Sequence, residues 1–155
     1  MTSYRNCVAL GVPVLIFWGG NYYASTLPDS TCWLVWDKRD GTASDDHADG
    51  ELAWTNQTTP VRIFHHLWRG MIKASERNER RVHPTQKPVA LAEWCMNLYG
   101  EAGDNVLDLF GGSGWTVIAA ERTGRTAFVM EMSEAYCDVI RRRYAAFVGD
   151  PSLEP

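Results

Sequence analysis

No Pro-Pro dipeptide, no Cys-x-x-Cys pair and no long uninterrupted apolar run occurs in this sequence. The four cysteines, Cys7, Cys32, Cys95 and Cys137, are scattered and have no histidine at ligand spacing. That pattern excludes a structural zinc site and suits four reduced thiols of a cytoplasmic protein. The most apolar stretch, Val8 to Trp18, has neither a basic flank nor a small-residue cleavage site, so it does not read as a secretory signal. It is also too short to span a bilayer, and a buried strand is the expectation there. A basic excess is missing as well: 15 lysines and arginines face 19 aspartates and glutamates, for a net charge of −4. Bulk electrostatics therefore do not draw this chain to nucleic acid, and any such contact needs a local basic patch. No internal repeat is present.

What remains suits one compact domain of 155 residues, rich in tryptophan, of which there are seven. The first third reads as sheet. Val12 to Trp18 is a strand candidate stopped by Gly19-Gly20-Asn21, and Tyr22 to Leu27 a short helix ended by Pro28-Asp29. Trp33 to Trp36 is a strand, and Glu51 to Thr55 its antiparallel return across an acid-rich loop. In the middle, Arg62, Arg69, Lys73, Arg77, Arg80, Arg81 and Lys87 are opposed only by Glu76 and Glu79, with Phe64, His65, His66 and Trp68 interleaved. This segment has no strong period and reads as loop with short helical pieces. Such a charge run is either a solvated face or a surface for phosphates.

The last third is the clearest. Leu91, Trp94, Cys95 and Leu98 have helical spacing between Pro88 and Gly100. Val106 to Phe110 is a strand, followed by the turn Gly111-Gly112-Ser113-Gly114, a helix to Arg122, and a second strand from Thr126 to Met130. Ser133 then caps a helix with Tyr136, Val139, Ile140, Tyr144 and Phe147 on one face. Strands alternating with helices give an α/β class with a parallel sheet.

The glycine turn is of the kind that brings backbone close to a nucleotide-like ligand. A dinucleotide site would carry a third glycine where Val117 stands, so a smaller ligand head fits better. Asp108 would repel a diphosphate and attract an amino group or sulfonium, which favours S-adenosylmethionine over NAD. Its alternative role is to cap the turn's own N–H groups. Glu131 ends the second strand at the separation expected of an acid that accepts from ribose hydroxyls.

With Phe17-Trp18-Gly19-Gly20-Asn21-Tyr22-Tyr23, Trp33-Leu34-Val35-Trp36-Asp37-Lys38 and His83-Pro84-Thr85-Gln86-Lys87-Pro88 ahead of that turn, the chain from about Leu15 to Tyr144 resembles the C-terminal part of DNA amino-methyltransferases. These modify adenine N6 or cytosine N4, and the arrangement is the permuted one in which the cofactor motifs come last. The resemblance implies an α/β, Rossmann-like methyltransferase sheet, mostly parallel with an antiparallel hairpin and incomplete in this chain. One domain is implied: a sheet half over 1–60, a basic segment over 61–82 and a cofactor half over 83–150. It implies that Thr85 and Lys87 line the methionine end of S-adenosylmethionine, that Asp108, Phe110, Gly112 and Gly114 form the cofactor turn, and that Glu131 holds the ribose. Double-stranded DNA would meet Arg62, Arg69, Lys73, Arg77, Arg80 and Arg81. No metal and no membrane are implied.

Three positions depart from the family pattern. Leu109 stands where proline is usual, and Trp115 stands where a small residue or threonine is, to crowd the cofactor or pack beneath it. The catalytic Asp/Asn/Ser-Pro-Pro-aromatic tetrapeptide is absent, so no catalytic residue is identified. That loop accepts hydrogen bonds from the exocyclic amine and stacks on the flipped base. The strand feeding it would lie between those at Val106 and Val12, and without it backbone edges stay open. A second chain supplying this part is the expectation. A non-catalytic DNA-binding or regulatory remnant is the alternative, and an NAD-binding oxidoreductase fragment the third reading.

Overall fold

The computed structural model describes residues 2–42, 46–70 and 72–155. Its contacts divide the chain into two units, Met1–Arg77 and Asn78–Pro155, with the boundary inside the basic segment. No described helix is long and apolar enough to cross a membrane.

The first unit opens with helix α1 (Thr2–Ala9), then strand β1 (Ile16–Trp18), a 3-10 segment (Gly20–Thr26), β2 (Trp33–Asp37), β3 (Gly50–Thr55) and β4 (Arg62–His65). These four strands form one sheet in the order β1-β3-β2-β4. A small hairpin, β5 (Trp68–Arg69) with β6 (Ile72–Lys73), follows. Alternation decides the face of β2. Leu34 and Trp36 point inward, 0% and 1% exposed, while Trp33, Val35 and Asp37 are half-buried. The buried indoles find carbonyl partners: Trp36 Nε1 donates to His66 O at 3.0 Å and Trp54 Nε1 to Pro28 O at 2.8 Å. Tyr4 of α1 meets Trp54 edge-on, with ring centroids 5.7 Å apart.

Three expectations are corrected here. The Val8 to Trp18 stretch is not a buried strand. Val8 lies in α1 at 51% exposure, Leu10 is 73% exposed, and the strand begins only at Ile16. The basic segment holds short strands rather than helical pieces. Among the described residues the sheets are mixed, not mostly parallel: β1–β3, β2–β3 and β5–β6 are antiparallel, while β2–β4 and the two strands of the second unit pair in parallel. A parallel neighbour needs a long crossover, and the first unit has no α-helix between its strands to make one. Strand β4 reaches β2 in parallel because β3 itself serves as the return.

The second unit contains α2 (Val89–Tyr99), β7 (Asn105–Asp108), α3 (Trp115–Arg122), β8 (Thr126–Val129) and α4 (Glu134–Val148). Strands β7 and β8 pair in parallel, with Leu107 opposite Phe128 and Asp108 opposite Val129. The core joins α2 to α3 through Val89, Ala92, Ile118 and Ala119, with Met96 and Trp115 packed against it. Trp115 therefore packs on the core between α2 and α3. Leu107 and Phe128 stay 41% and 54% exposed, although parallel sheets ordinarily bury both faces.

Candidate cofactor site

The turn after β7 is built by two carboxylates. Asp108 Oδ1 accepts the Phe110 N–H at 2.9 Å, and Oδ2 accepts the Thr116 hydroxyl at 2.6 Å. The side chain thus spans from the strand end to the first turn of α3. It takes the capping role, while its oxygens keep further lone pairs for a ligand. Backbone bonds close the loop: Gly114 N donates to Gly111 O, Gly111 N to Met130 O and Met130 N to Asp108 O, each at 2.8 Å.

Glu131, just past β8, reaches back to this turn. Its Oε2 accepts the Gly112 N–H at 2.8 Å and its Oε1 the Ser133 N–H at 2.9 Å. Ser133 makes no side-chain cap of α4; the Glu131 carboxylate takes that N–H. The Ser133 and Gly112 N–H groups hold the Glu131 carboxyl below its ordinary range, because they bond its charged form. A depressed folded value means stabilisation present above the ordinary carboxylate pKa of about 4.3 and lost as pH falls through the folded value. Protection of the Gly112 amide against exchange is expected to fall in the native chain as pH drops below the ordinary carboxylate range. The acid limb should be absent from Glu131→Gln; an unchanged acid profile in that variant would disprove the link.

Gly111 is required by close approach. A Cβ there would lie 2.5 Å from Val129 Cγ1 and 3.0 Å from Ile140 Cδ1. Gly111→Ala is expected to destabilise the fold by about 1–3 kcal/mol, read from urea unfolding. Gly112 is required by conformation, with φ at +53°, and the space a Cβ would enter ends at the His83 ring 3.6 Å away.

The segment before α2 lies against this turn. His83 packs on Tyr136 with ring centroids 4.5 Å apart. Thr85 aims its N–H and hydroxyl at His83 Nδ1, both at 3.2 Å, and Arg81 Nε donates to His83 O at 3.1 Å. The buried Gln86 accepts the Val82 N–H at 2.9 Å. Lys87 is half-buried, whereas the Phe110 ring is 71% exposed beside the turn.

Of the six basic residues singled out for DNA, Arg62, Arg69, Lys73 and Arg77 lie in the first unit and Arg80 and Arg81 in the second. Arg62, Arg69, Arg80 and Arg81 are exposed. Lys73 is 8% exposed, its ammonium 4.8 Å from the Trp68 ring centroid. Arg77 Nε donates to Lys73 O at 3.0 Å.

Sequence reading passed over Thr116, His83 and Arg143. Arg143 of α4 donates to Ser113 O at 2.7 Å and to Glu79 at 3.0 Å. Its signal was present: Tyr136, Ile140 and Arg143 follow i, i+4, i+7 spacing, and Ile140 lines the glycine turn.

The family described as DNA methylase, of N6 and N4 type, matches residues 24–142. The type II methyltransferase M2.DpnII of Streptococcus pneumoniae is 34% identical over 80 residues, 52% of this chain and 30% of that protein. M2.LlaDCHI of Lactococcus lactis subsp. cremoris is 25% identical over 114 residues, 74% of this chain and 42% of that protein. The chain thus spans less than half the length of either relative. Among solved structures, the complex of M1.HpyAVI with SAM shares the fold, with TM-score 0.63 and 20% identity over 84% of this chain and 74% of that one. A putative DNA modification methylase of Thermus thermophilus, complexed with S-adenosyl-L-methionine, is 26% identical with TM-score 0.50, over 75% of this chain and 53% of that one.

Proposed function

We propose, from the premise that the chain belongs to the N6/N4 DNA methylase family, that its second unit binds S-adenosylmethionine for methylation of an exocyclic amine of adenine, or of cytosine, in DNA. The observation that carries this reading is the Asp108–Gly112–Glu131 arrangement, in which a glycine turn is held between two carboxylates. The residues fit the group. Gly112 leaves a cradle below His83 that a Cβ would enter. Each carboxylate oxygen already accepts one bond and keeps acceptor capacity for ligand hydroxyl or ammonium donors. When bound, the cofactor supplies an electrophilic methyl group on a sulfonium.

In this reading Glu131 accepts from ribose hydroxyls while holding the turn, and Asp108 sets the turn and faces positive charge. Lys87 and the Thr85 segment close the methionine end, and Phe110 offers an exposed aromatic face. Acceptance of the amine's hydrogen bonds needs the Pro-Pro loop, which this sequence does not contain. The exposed pair Leu107 and Phe128, on a parallel sheet with open edges, suits cover by the polypeptide that carries that loop. DNA contact through the exposed Arg62, Arg69, Arg77, Arg80 and Arg81 belongs to the same proposal, while Lys73, buried against Trp68, drops out of it.

The exposed arginines of the basic segment favour a second reading, a non-catalytic DNA-binding protein. Calorimetric titration separates them. Binding of S-adenosylmethionine, with no response to NAD, supports the cofactor reading. Silence toward S-adenosylmethionine by a cooperatively folded chain, with DNA still bound, supports the second reading.

A further inference from the structure

We propose that Arg143 is a positioning residue for the glycine turn and, with Glu79, ties that turn to Arg80 and Arg81, so that DNA and S-adenosylmethionine each tighten binding of the other. This rests on the cofactor and DNA readings given above. The starting point is the peptide around Ser113. Gly112 and Gly114 on either side of it are both left-handed, with φ at +53° and +77°. Glycines impose little preference of their own, so the direction of the Ser113 carbonyl is set from outside the turn. Arg143 sets it: Nη1 donates to Ser113 O at 2.7 Å, a charge-assisted bond. Ile140, on the same face of α4, would lie 3.0 Å from a Cβ at Gly111 and 3.1 Å from one at Gly114. That face of α4 is therefore seated on the turn.

The same guanidinium holds the end of the basic segment. Its Nη2 donates to Glu79 Oε2 at 3.0 Å, with the Arg143 side chain 12% exposed and that of Glu79 51%. From Glu79 the chain runs through the exposed Arg80 and Arg81 to His83, whose ring lies against Gly112. Arg81 Nε also donates to His83 O at 3.1 Å, which keeps this stretch short. Residues 79–83 thus form a strap clamped to the glycine turn at both ends, by Glu79 through Arg143 and by His83 directly. The two exposed guanidinium groups lie between the clamps.

Charge gives the coupling its sign. A bare carboxylate beside Arg80 and Arg81 would repel a DNA phosphate, and pairing with Arg143 offsets that repulsion. A cofactor that orders the turn fixes Ser113 O, and with it Arg143, so Glu79 stays paired and the strap stays seated. DNA on the strap favours the same seated form. Such a coupling is reciprocal between the two ligands. A brace with a structural role alone would steady the fold and leave each affinity indifferent to the other ligand.

Calorimetry of S-adenosylmethionine, with and without a mixed-sequence DNA duplex at low ionic strength, reads the coupling. In the native chain the duplex is expected to tighten cofactor binding about fivefold. Arg143→Ala should weaken duplex-free cofactor binding about tenfold and reduce the duplex effect to below about twofold. Glu79→Gln keeps the Arg143 bond to Ser113 and removes only the carboxylate charge. It should likewise reduce the duplex effect to below about twofold while the duplex still binds. If Arg143→Ala does not fold, Glu79→Gln decides. A native chain that binds both ligands with no mutual effect, or a folded variant of either kind that keeps the native duplex effect, would overturn the proposal. A native chain that binds no S-adenosylmethionine would overturn the cofactor reading, and one that binds the cofactor but no duplex would overturn the DNA reading. Either result takes this proposal with it.

Discussion

Asp108→Ala is expected to lower S-adenosylmethionine affinity by about a hundredfold, since two hydrogen bonds to a charged group, each worth about 1.5–3 kcal/mol, are removed from the site. Those bonds are the Phe110 N–H at 2.9 Å and the Thr116 hydroxyl at 2.6 Å. Without them the strand end, the turn and the start of α3 lose their common acceptor. The N–H of Phe110 would also be free to point elsewhere, and the exposed ring would move with it. The negative charge facing the ligand goes too. Asp108→Asn separates the contributions: it keeps one acceptor but neither the charge nor the second acceptor, so an intermediate loss of about tenfold is expected. Calorimetry reads both. Alanine binding within twofold of native would show that the cofactor does not depend on this turn. Retained DNA affinity in the alanine variant would mark DNA binding as independent of the cofactor site.

The largest effect on stability is expected at Arg125. This arginine lies just before β8, is 9% exposed, and is the cap that α2 lacks in its own sequence. Helix α2 has no basic residue in its last turn, and Gly100 at its end is extended rather than left-handed. The carbonyls there are taken by the guanidinium instead: Met96 O at 3.1 Å and Gly100 O at 2.8 Å, with Asn97 Oδ1 at 3.1 Å and Thr123 O at 3.2 Å. Arg125→Ala removes a donor from each of four acceptors, of which Met96 O keeps the Gly100 N–H at 2.9 Å, and removes a positive charge from a helix C-terminus. A cost of about 3 kcal/mol is expected, with the apparent melting temperature lower by about 6–12 °C. Arg125→Lys should restore only part, because an ammonium cannot fan out to four acceptors as a planar fork does. Urea unfolding with an unchanged slope gives the value. A loss under about 0.5 kcal/mol in the alanine variant would contradict the capping role.

Elements with a full period were legible before any coordinates. Helix α2 runs between Pro88 and Gly100 as its apolar spacing requires, and β2 with β3 forms the expected antiparallel pair. The glycine turn, α3 and β8 fall where strand, breaker and helix signals placed them. Elements shorter than a period were not legible. Strands β4, β5 and β6 have four, two and two residues, too few for alternation to stand out from a basic run. Helix α1 leaves Val8 and Leu10 exposed and docks through Tyr4 on Trp54, so its apolar residues mislead.

The sequence by itself determined where a tight glycine turn can form. Glycines at 111, 112 and 114 permit conformations and approaches that a side chain forbids, and that permission is local. Tertiary structure alone decided what each charged group holds. Glu131 meets Gly112 across 19 residues, Arg125 meets Met96 across 29, and Arg143 meets Ser113 across 30. The same holds for Lys73, which is basic in the sequence but buried against Trp68 in the fold. A carboxylate or guanidinium bonds whatever the folded chain brings within about 3 Å, and pairings of that separation leave no periodicity in the sequence to read.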